Sequence, residues 1–269
     1  MIAPQSVEAS AAPHISISNV SKTFHTRSGA VQALEDIHLE IQRGEFVSVL
    51  GPSGCGKSTL MMLLSGLVPS SQGQIEVARH KIDGPNSHIG IVFQQDVLLE
   101  WRSALQNVMI QAEIRKLPVE AARERAKQLL EMVSLKDFES AYPKELSGGM
   151  RQRVSICRAL LHKPPLLLMD EPFGALDAMT RDQLQLDLLR LCADNAMTVF
   201  FITHSIPEAV FLSDRVVVMS PRPGRIEKIV NIDMPRPRRL AMREDPQFIE
   251  YTRELTEIFK NLGVFREEH

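Results

Sequence analysis

The chain has 269 residues, of which 44% are hydrophobic and 24% are charged, and its formal net charge is −2. This length suffices for one large domain, or one domain with a subdomain, around a full hydrophobic core. There is no basic excess of the kind that nucleic-acid-binding proteins carry, and no apolar run approaches the roughly 18–20 residues that span a bilayer, so we expect neither a nucleic-acid partner nor a channel.

Two features indicate a reducing, cytosolic setting. The segment Met1–Pro13 lacks the basic start and apolar core of a secretory signal, and we expect a disordered lead over residues 1–13. The three cysteines, Cys55, Cys157 and Cys192, are odd in number and widely spaced. This spacing favours neither a disulfide framework nor a zinc site.

Two segments near the start of the chain alternate apolar and polar residues, the pattern of half-buried strands. They are His14–Val20 and Val31–Ile41, with a loop containing Ser and Gly between them. We expect antiparallel strands that lead into the phosphate-loop strand described next. Phe24 falls in the predicted connection; it either stacks on a bound base or is a core phenylalanine beneath a loop, and the sequence leaves both interpretations open.

The most informative stretch is Phe46–Gly66, which has an apolar run, a glycine-rich loop and a second apolar run. This order predicts a buried strand, a tight turn and a buried helix. The loop fits G-x-x-x-x-G-K-[ST], whose backbone N–H groups and helix N-terminus form a nest for phosphate oxygens. Lys57 is then a charge for the β- and γ-phosphates and Ser58 a ligand for Mg²⁺; the alternative is a glycine-rich turn with an incidental lysine. The predicted nucleotide-binding residues are Phe24 and the loop residues Gly51, Pro52, Ser53, Gly54, Cys55, Gly56, Lys57, Ser58 and Thr59.

A predicted strand pair, Gln74–Val77 and Ile89–Phe93, leads to Gln94. A glutamine at the end of a buried strand can reach Mg²⁺ or the water that attacks a phosphate. The alternative for Gln94 is a solvated loop residue.

The composition changes to helix formers from Arg102 to Glu145, with apolar residues at helical spacing and charges on the other face. We therefore expect an α-helical subdomain, about 102–147, inserted into an α/β core.

The stretch Leu146–Arg153, LSGGMRQR, predicts a second helix N-terminus. Ser147 has the residue type and position of an N-cap, and Gly148 and Gly149 leave the backbone accessible. Such a terminus can meet phosphate, although Ser-Gly-Gly also caps helices that bind nothing.

Leu166–Met169 is a short apolar run that ends in Asp170 and Glu171. This pattern is typical of a buried parallel strand with carboxylates at its C-terminal edge. One carboxylate can hold Mg²⁺ through its waters, and the other can take a proton from an attacking water. The alternative is a strand that ends at solvent, but the upstream phosphate loop favours the functional interpretation.

Two further segments complete the predicted core. Ala175–Asp177 predicts a turn into a helix whose capping box runs from Thr180 to Gln183. Thr198–Ile202 predicts another buried strand, followed closely by His204. A histidine there is usually structural, but this strand edge points at the same crevice.

Five elements, in this order, resemble the ATP-binding subunit of ABC transporters. They are GPSGCGKS at 51–58, Gln94, LSGGMRQR at 146–153, LLLMDE at 166–171 and His204. Kinases and small GTPases do not carry LSGG. The resemblance extends from Ile15 to about Arg225 and implies an α/β fold, with a P-loop NTPase core, an antiparallel β subdomain and the inserted α-helical subdomain. The implied ABC ATPase domain spans 14–232.

The resemblance also implies roles for the site residues. ATP, with Mg²⁺, is hydrolysed between two head-to-tail copies of the chain. The LSGG stretch of one copy, called the signature, faces the γ-phosphate held by Lys57 of the other copy. Glu171 is the implied general base and His204 the γ-phosphate contact, while Gln94 contacts metal and water and reports to the membrane subunit. The implied metal set is Ser58, Gln94 and Asp170, the signature residues acting in trans are Ser147, Gly148, Gly149 and Gln152, and Asp177 lies in the dimer loop.

The implied partners are a second copy of the chain, two copies of a transmembrane permease and, indirectly, a periplasmic or lipid-anchored solute-binding protein. The implied location is the cytoplasmic face of the membrane. The stretches 93–101 and 220–226 look like the nitrate, sulfonate and taurine importers, although Glu100 and Phe24 stand where relatives often have proline and tyrosine. We expect an ATPase that drives import of a small anionic solute such as an organosulfonate, taurine or nitrate.

Two other functions share some of these motifs. An exporter subunit keeps all of them. An ABC-type ATPase that acts on nucleic acid or ribosomes usually joins two ATPase halves or inserts long coiled coils, whereas this sequence has one phosphate loop and no sustained heptads.

The residues after the ATPase domain, 233–269, form the predicted C-terminal tail. Phe248, Tyr251, Leu255, Phe259 and Leu262 share one face of a predicted helix. We expect a short helical tail with no room for an added regulatory domain.

Overall fold

The computed structural model describes residues 13–27, 29–174, 176–194 and 196–264. The strands are β1 (Ile15–Thr26), β2 (Gly29–Ile41), β3 (Phe46–Leu50), β4 (Gln72–Val77), β5 (His80–Lys81), β6 (Ile89–Val92), β7 (Leu166–Asp170), β8 (Thr198–Ile202), β9 (Arg215–Met219) and β10 (Ile226–Asn231). The α-helices are α1 (Lys57–Leu64), α2 (Ala104–Arg115), α3 (Val119–Met132), α4 (Gly148–Leu160), α5 (Ala178–Asp194), α6 (Ile206–Leu212) and α7 (Pro246–Asn261). Three short 3₁₀ helices lie at Lys136–Phe138, Pro143–Glu145 and Leu240–Glu244.

The central sheet has the strand order β10-β9-β3-β8-β7-β6. All of its neighbouring strands pair in parallel except β9 and β10. Every residue of β3 and β8 is buried, as expected for parallel strands covered on both faces. The carboxyl ends of β3, β6, β7 and β8 therefore meet at one edge, where parallel α/β sheets bind ligands.

Alternate residues of the central strands pack into two different hydrophobic clusters. Phe46 and Leu50 join the cluster formed with α2 to α7, while Val47 and Val49 join the cluster formed with α1 and the antiparallel sheet. This alternation follows from the period of two along a strand. The central sheet is thus the middle layer, between a helical side and a β-rich side.

The antiparallel sheet has the order β2-β1-β4-β5. It differs from the sequence expectation in two respects. The strand β1 continues to Thr26, so that Phe24 lies in the strand, opposite Val31, and not in a connection. In addition, the predicted strand pair is wrong, because Gln72–Val77 joins this sheet and Ile89–Val92 pairs with β7 in the central sheet. The reason is burial: β6 is apolar enough to be covered on both faces, whereas half of β4 is exposed.

The helical segment between β6 and β7 agrees with the predicted insertion. Helix α2 packs against α3 and α4, and it begins with a capping box in which Ser103 and Gln106 exchange hydrogen bonds. This segment delivers the LSGG stretch to the start of α4.

The C-terminal tail contains the predicted helix, α7, which packs on α6. Phe248, Leu255 and Phe259 are buried, while Tyr251 and Leu262 are partly buried against the same cluster. The predicted disordered lead falls almost entirely on residues 1–12, which lie outside the described residues, as do 265–269.

Candidate nucleotide-binding and catalytic site

The phosphate loop connects β3 to α1, and its geometry depends on glycine. Gly56 has φ +106°, and a Cβ there would lie 2.6 Å from Leu34 Cδ2 and 2.9 Å from the Ala33 carbonyl oxygen. A larger residue would therefore be strained and would clash with β2. Gly56 is also the N-cap of α1, and no side chain caps this helix, so the first-turn amides and the positive end of the helix dipole are available to an anion.

Lys57 is held inside the loop. Its Nζ donates to the carbonyl oxygens of Gly51 at 2.8 Å and Pro52 at 3.1 Å, and the side chain is buried. Neutral carbonyls partly compensate the ammonium charge, which leaves it able to attract a polyanion.

A cleft of ≈ 350 Å³ opens beside the loop. It is lined by Phe24, Val31, Ala33, Ser53, Gly54, Gly56, Lys57, Ser58, Thr59, Gln94, Glu171 and Arg222. Phe24 is thus a half-buried residue at the cleft wall, which fits the base-stacking interpretation better than that of a core phenylalanine.

The end of β7 brings the Asp170 carboxylate to the loop, next to the Ser58 hydroxyl. Burial raises the pKa of the Asp170 carboxyl, and the neighbouring Glu171 adds to the rise, while the Ser58 hydroxyl and the Lys57 charge oppose it. Oxygen donors from Ser58 and Asp170 therefore lie together next to the phosphate nest.

Glu171 follows in a left-handed conformation, φ +44°, which costs a non-glycine residue of order 1–3 kcal/mol. Its N–H donates to the Ile202 carbonyl oxygen at 2.9 Å, and this bond fixes the carboxylate at the sheet edge. Gln94 Nε2 donates to Glu171 Oε2 at 3.2 Å, and His204 Nδ1 lies 3.2 Å from the same oxygen. Two predicted catalytic residues, Gln94 after β6 and His204 after β8, thus contact the carboxylate of a third, Glu171 after β7.

The LSGG stretch occupies a different place. The Ser147 Oγ accepts a hydrogen bond from Met150 N at 3.3 Å, so Ser147 is the N-cap of α4 as predicted. Gly148 and Gln152 line a groove of ≈ 500 Å³ together with residues 94–98. Among the described residues that line the phosphate-loop cleft, none belongs to 147–149, so a single chain does not bring the two motifs together.

The groove beside α4 is fixed by arginines. Arg151 forms an ion pair with Asp96 at 2.8 Å, and Arg158 donates to the carbonyl oxygens of Asp96 and Val97 at 2.8 and 2.7 Å. These contacts attach the segment after Gln94 to α4, the signature helix that begins at the LSGG stretch.

Asp177 caps α5, which corrects the predicted capping box. Thr180 N donates to Asp177 Oδ1 at 3.0 Å, so Thr180 lies in the first turn and Asp177 is the capping residue. This hydrogen bond lowers the pKa of the Asp177 carboxyl. Helix formation begins two residues before the predicted box because Asp is itself a strong N-cap; Ala175, the start of the predicted turn, lies outside the described residues.

Comparisons with known proteins agree with this geometry. Residues 34–174 match the family model described as "ABC transporter". The chain belongs to the ABC transporter ATP-binding family. It is 46% identical over 247 residues to an uncharacterised ABC transporter ATP-binding protein of Methanocaldococcus jannaschii, covering 92% of this chain and 91% of that protein. It is 41% identical over 252 residues to the aliphatic sulfonates import ATP-binding protein SsuB of Bacillus cereus, covering 94% and 98% of the two chains.

A solved structure of an ABC cassette is also similar. The post-hydrolysis dimer of the cassette MJ0796 with ADP and Pi has a TM-score of 0.73 and 31% identity, covering 82% of this chain and all of that one. The chain is therefore an ABC-type ATPase, and the predicted α/β P-loop NTPase fold is confirmed. No helix in the described ranges has the length and apolar character needed to cross a membrane.

Sequence reasoning missed Arg222 as a residue of the cleft. The stretch 220–226 was interpreted only as a resemblance to the nitrate, sulfonate and taurine importers. No local sequence pattern could have placed Arg222, because its position follows from the pairing of β9, which precedes this loop, with the phosphate-loop strand β3.

Proposed function

We propose that this ABC ATPase energises the import of a small anionic solute, an aliphatic sulfonate or a chemically similar compound, through a separate membrane permease. The observation that carries the proposal is the 41% identity, over almost the whole of both chains, to a protein named as an aliphatic sulfonates import ATP-binding protein. The 93–101 and 220–226 stretches support the same importer group.

In this proposal the phosphate loop holds the β- and γ-phosphates, with Lys57 and the first-turn amides of α1 as donors. Glu171 takes the proton of the attacking water. Gln94 and His204 both contact Oε2, which leaves Oε1 to accept that proton. Catalysis of this kind depends mostly on positioning and charge stabilisation.

The residues at the cleft also fit Mg²⁺. The Ser58 hydroxyl, the Asp170 carboxylate and the Gln94 amide oxygen are hard oxygen donors, and a magnesium site needs only one or two carboxylates beside phosphate and water. When bound, Mg²⁺ neutralises charge on the phosphates.

We further propose that the working unit is a head-to-tail dimer, in which Ser147, Gly148, Gly149 and Gln152 of one copy complete the cleft of the other, and Asp177 lies in the contact. The placement of Gly148 outside its own chain's cleft supports this arrangement. The similar MJ0796 cassette is itself dimeric.

Reconstitution with the partner proteins tests the import proposal. The chain is co-expressed with a candidate permease and solute-binding protein from the same source, the complex is placed in lipid nanodiscs, and ATPase activity is measured with a panel of sulfonates, taurine, nitrate and neutral solutes. We expect stimulation only with an anionic solute and its binding protein. Stimulation by a solute added on the ATPase side, or recovery of the chain with nucleic acid or ribosomes, would contradict import.

A further inference from the structure

The loop 220–225 lies against the phosphate loop and is tied to β2. Gly224 N donates to the Ala33 carbonyl oxygen at 3.0 Å, and the Gly224 carbonyl oxygen accepts from Glu35 N at 3.0 Å. A Cβ at Gly224 would lie 2.0 Å from the Cys55 carbonyl oxygen. Only glycine allows this approach, which places the preceding residues at the rim of the nucleotide cleft.

Arg222 extends from this loop into the lining of the cleft. Its Nε donates to the Gly54 carbonyl oxygen at 3.3 Å. Within the part of the chain that the structure describes, no carboxylate pairs with Arg222. Most of its five N–H donors are therefore free to bind a ligand.

A second arginine in the same loop, Arg225, differs from Arg222 in having a carboxylate partner. Arg225 forms an ion pair with Glu35 at 2.7 Å and is not among the residues that line the cleft. The loop thus carries one arginine that is neutralised within the fold and one that faces the cleft without a counter-charge.

The charges around the cleft indicate the kind of ligand that Arg222 can bind. Asp170 and Glu171 are two carboxylates beside the phosphate nest, and Lys57 alone offsets only one of them. Among the residues that line the cleft, Lys57 and Glu171 offset each other, so Arg222 gives the lining a net positive charge, which favours a polyanion. A guanidinium suits this purpose because its planar set of donors matches phosphate oxygens.

We propose that Arg222 binds the phosphates of ATP, as a second cation that approaches from the exposed Gly54 side of the loop while Lys57 acts from the buried side. The inference rests on ATP binding at this cleft, as assigned under the proposed function. It gives the 220–225 loop a role in nucleotide affinity.

Equilibrium binding of ATP and GTP tests the inference, in a Glu171→Gln background where hydrolysis is suppressed. We expect Arg222→Ala to weaken both nucleotides by the same factor, about 10-fold, the size of a charge-assisted hydrogen bond. Arg222→Lys keeps the charge but loses the planar donors, and we expect a loss of about 3-fold. Arg225→Ala, the matched control, should bind both nucleotides as the background protein does.

Lys57→Ala is measured in parallel to separate the two claims. Loss of binding with Lys57→Ala but not with Arg222→Ala overturns the Arg222 inference alone, and unchanged binding in both overturns the site as well. A loss for ATP with GTP unaffected places the guanidinium on the base and also overturns the inference, as does an equal loss with Arg225→Ala. Thermal unfolding checks each variant, and Arg222→Lys carries the test if Arg222→Ala does not fold.

Discussion

The two glycine-containing helix N-termini of this chain, at α1 and at α4, differ in the charges and hydrogen-bond donors that they present. At α1 the cations Lys57 and Arg222 are hydrogen-bonded to neutral carbonyl oxygens of the phosphate loop. At α4 the cation Arg151 is paired with the carboxylate of Asp96, and Ser147 caps its own helix. The α1 end therefore keeps charge available for a polyanion, while the α4 end offers backbone amides and a hydroxyl.

This contrast supports the proposed head-to-tail dimer, in which each copy supplies half of a site. The two regions line separate cavities, and of the residues described there, Gln94 borders both. The positive charge that can bind phosphate lies in the α1 region. The α4 region is suited to closing over a nucleotide already held by the α1 region of another copy. Substitutions in the two regions should therefore affect different steps.

The largest effect is expected from Glu171→Gln, which removes the base from the α1 region and keeps the hydrogen-bonding shape. ATP hydrolysis should fall by about 10²- to 10⁴-fold, while ATP binding remains and an ATP-bound dimer accumulates. Phosphate release and gel filtration with saturating ATP measure the two results. Glu250→Gln, an exposed change on α7, is the control, and a Glu171→Gln protein that stays monomeric with ATP would count against the assigned base.

Lys57→Ala and Ser147→Ala should affect different steps. We expect Lys57→Ala to weaken ATP binding to the monomer by about 10- to 100-fold, because it removes a charged hydrogen-bond donor to phosphate. Ser147→Ala should bind ATP as the wild type does but hydrolyse it slowly, because the hydroxyl acts on the partner's nucleotide. Titration with ATP at low protein concentration gives the affinity of the monomer. Equal losses of ATP affinity in the two variants would contradict the separate roles of Lys57 and Ser147.

The sequence predicted the parts of these regions that depend on neighbouring residues. Parallel strand ends meet at one sheet edge, so Glu171 and His204 could be placed together, whereas Gln94 was grouped with them only through the family resemblance. The Ser147 cap is a local pattern. The strand partners of β4 and β6 could not be predicted, because burial of distant strands decides them. Arg222 was missed for the same reason, since its place depends on the contacts of Gly224 with β2 and Cys55.

His162, just beyond α4, should make stability depend on pH. Burial, with the charge of Arg115 and a smaller effect of His88, lowers the pKa of its imidazole to about 4. A lowered pKa means that the unfolded chain binds the proton more readily, so this contribution to stability is present above about pH 6.5 and is lost as the pH falls towards 4.

Comparison with His162→Phe isolates that contribution. Between pH 7 and pH 5 the wild type should lose about 2 kcal/mol more of its unfolding free energy than the variant, as measured by urea denaturation at each pH. ATP binding at pH 7 should not change. Equal losses in the two proteins would mean that the imidazole titrates similarly in the folded and unfolded chains.

The smallest effect is expected from Ser103→Ala, which removes the cap of α2 beneath the signature helix. The loss of the Ser103–Gln106 capping box should lower the unfolding free energy by about 1 kcal/mol. Ser103→Thr should retain most of it. Monomer ATP affinity should stay unchanged, since α2 does not line the α1 cleft; a clear loss of affinity would show that the two regions are coupled within one chain.

Mixed dimers show whether each ATP is held by α1 of one copy and α4 of the other. Lys57→Ala and Ser147→Arg chains, both in a Glu171→Gln background, carry different tags so that mixed dimers can be isolated and shown to form. In the head-to-tail arrangement one site of the mixed dimer collects both lesions and the other is intact. Filter binding should then find about one trapped ATP per mixed dimer and almost none in either parent. Mixed dimers that trap no more ATP than the parents would contradict the shared site.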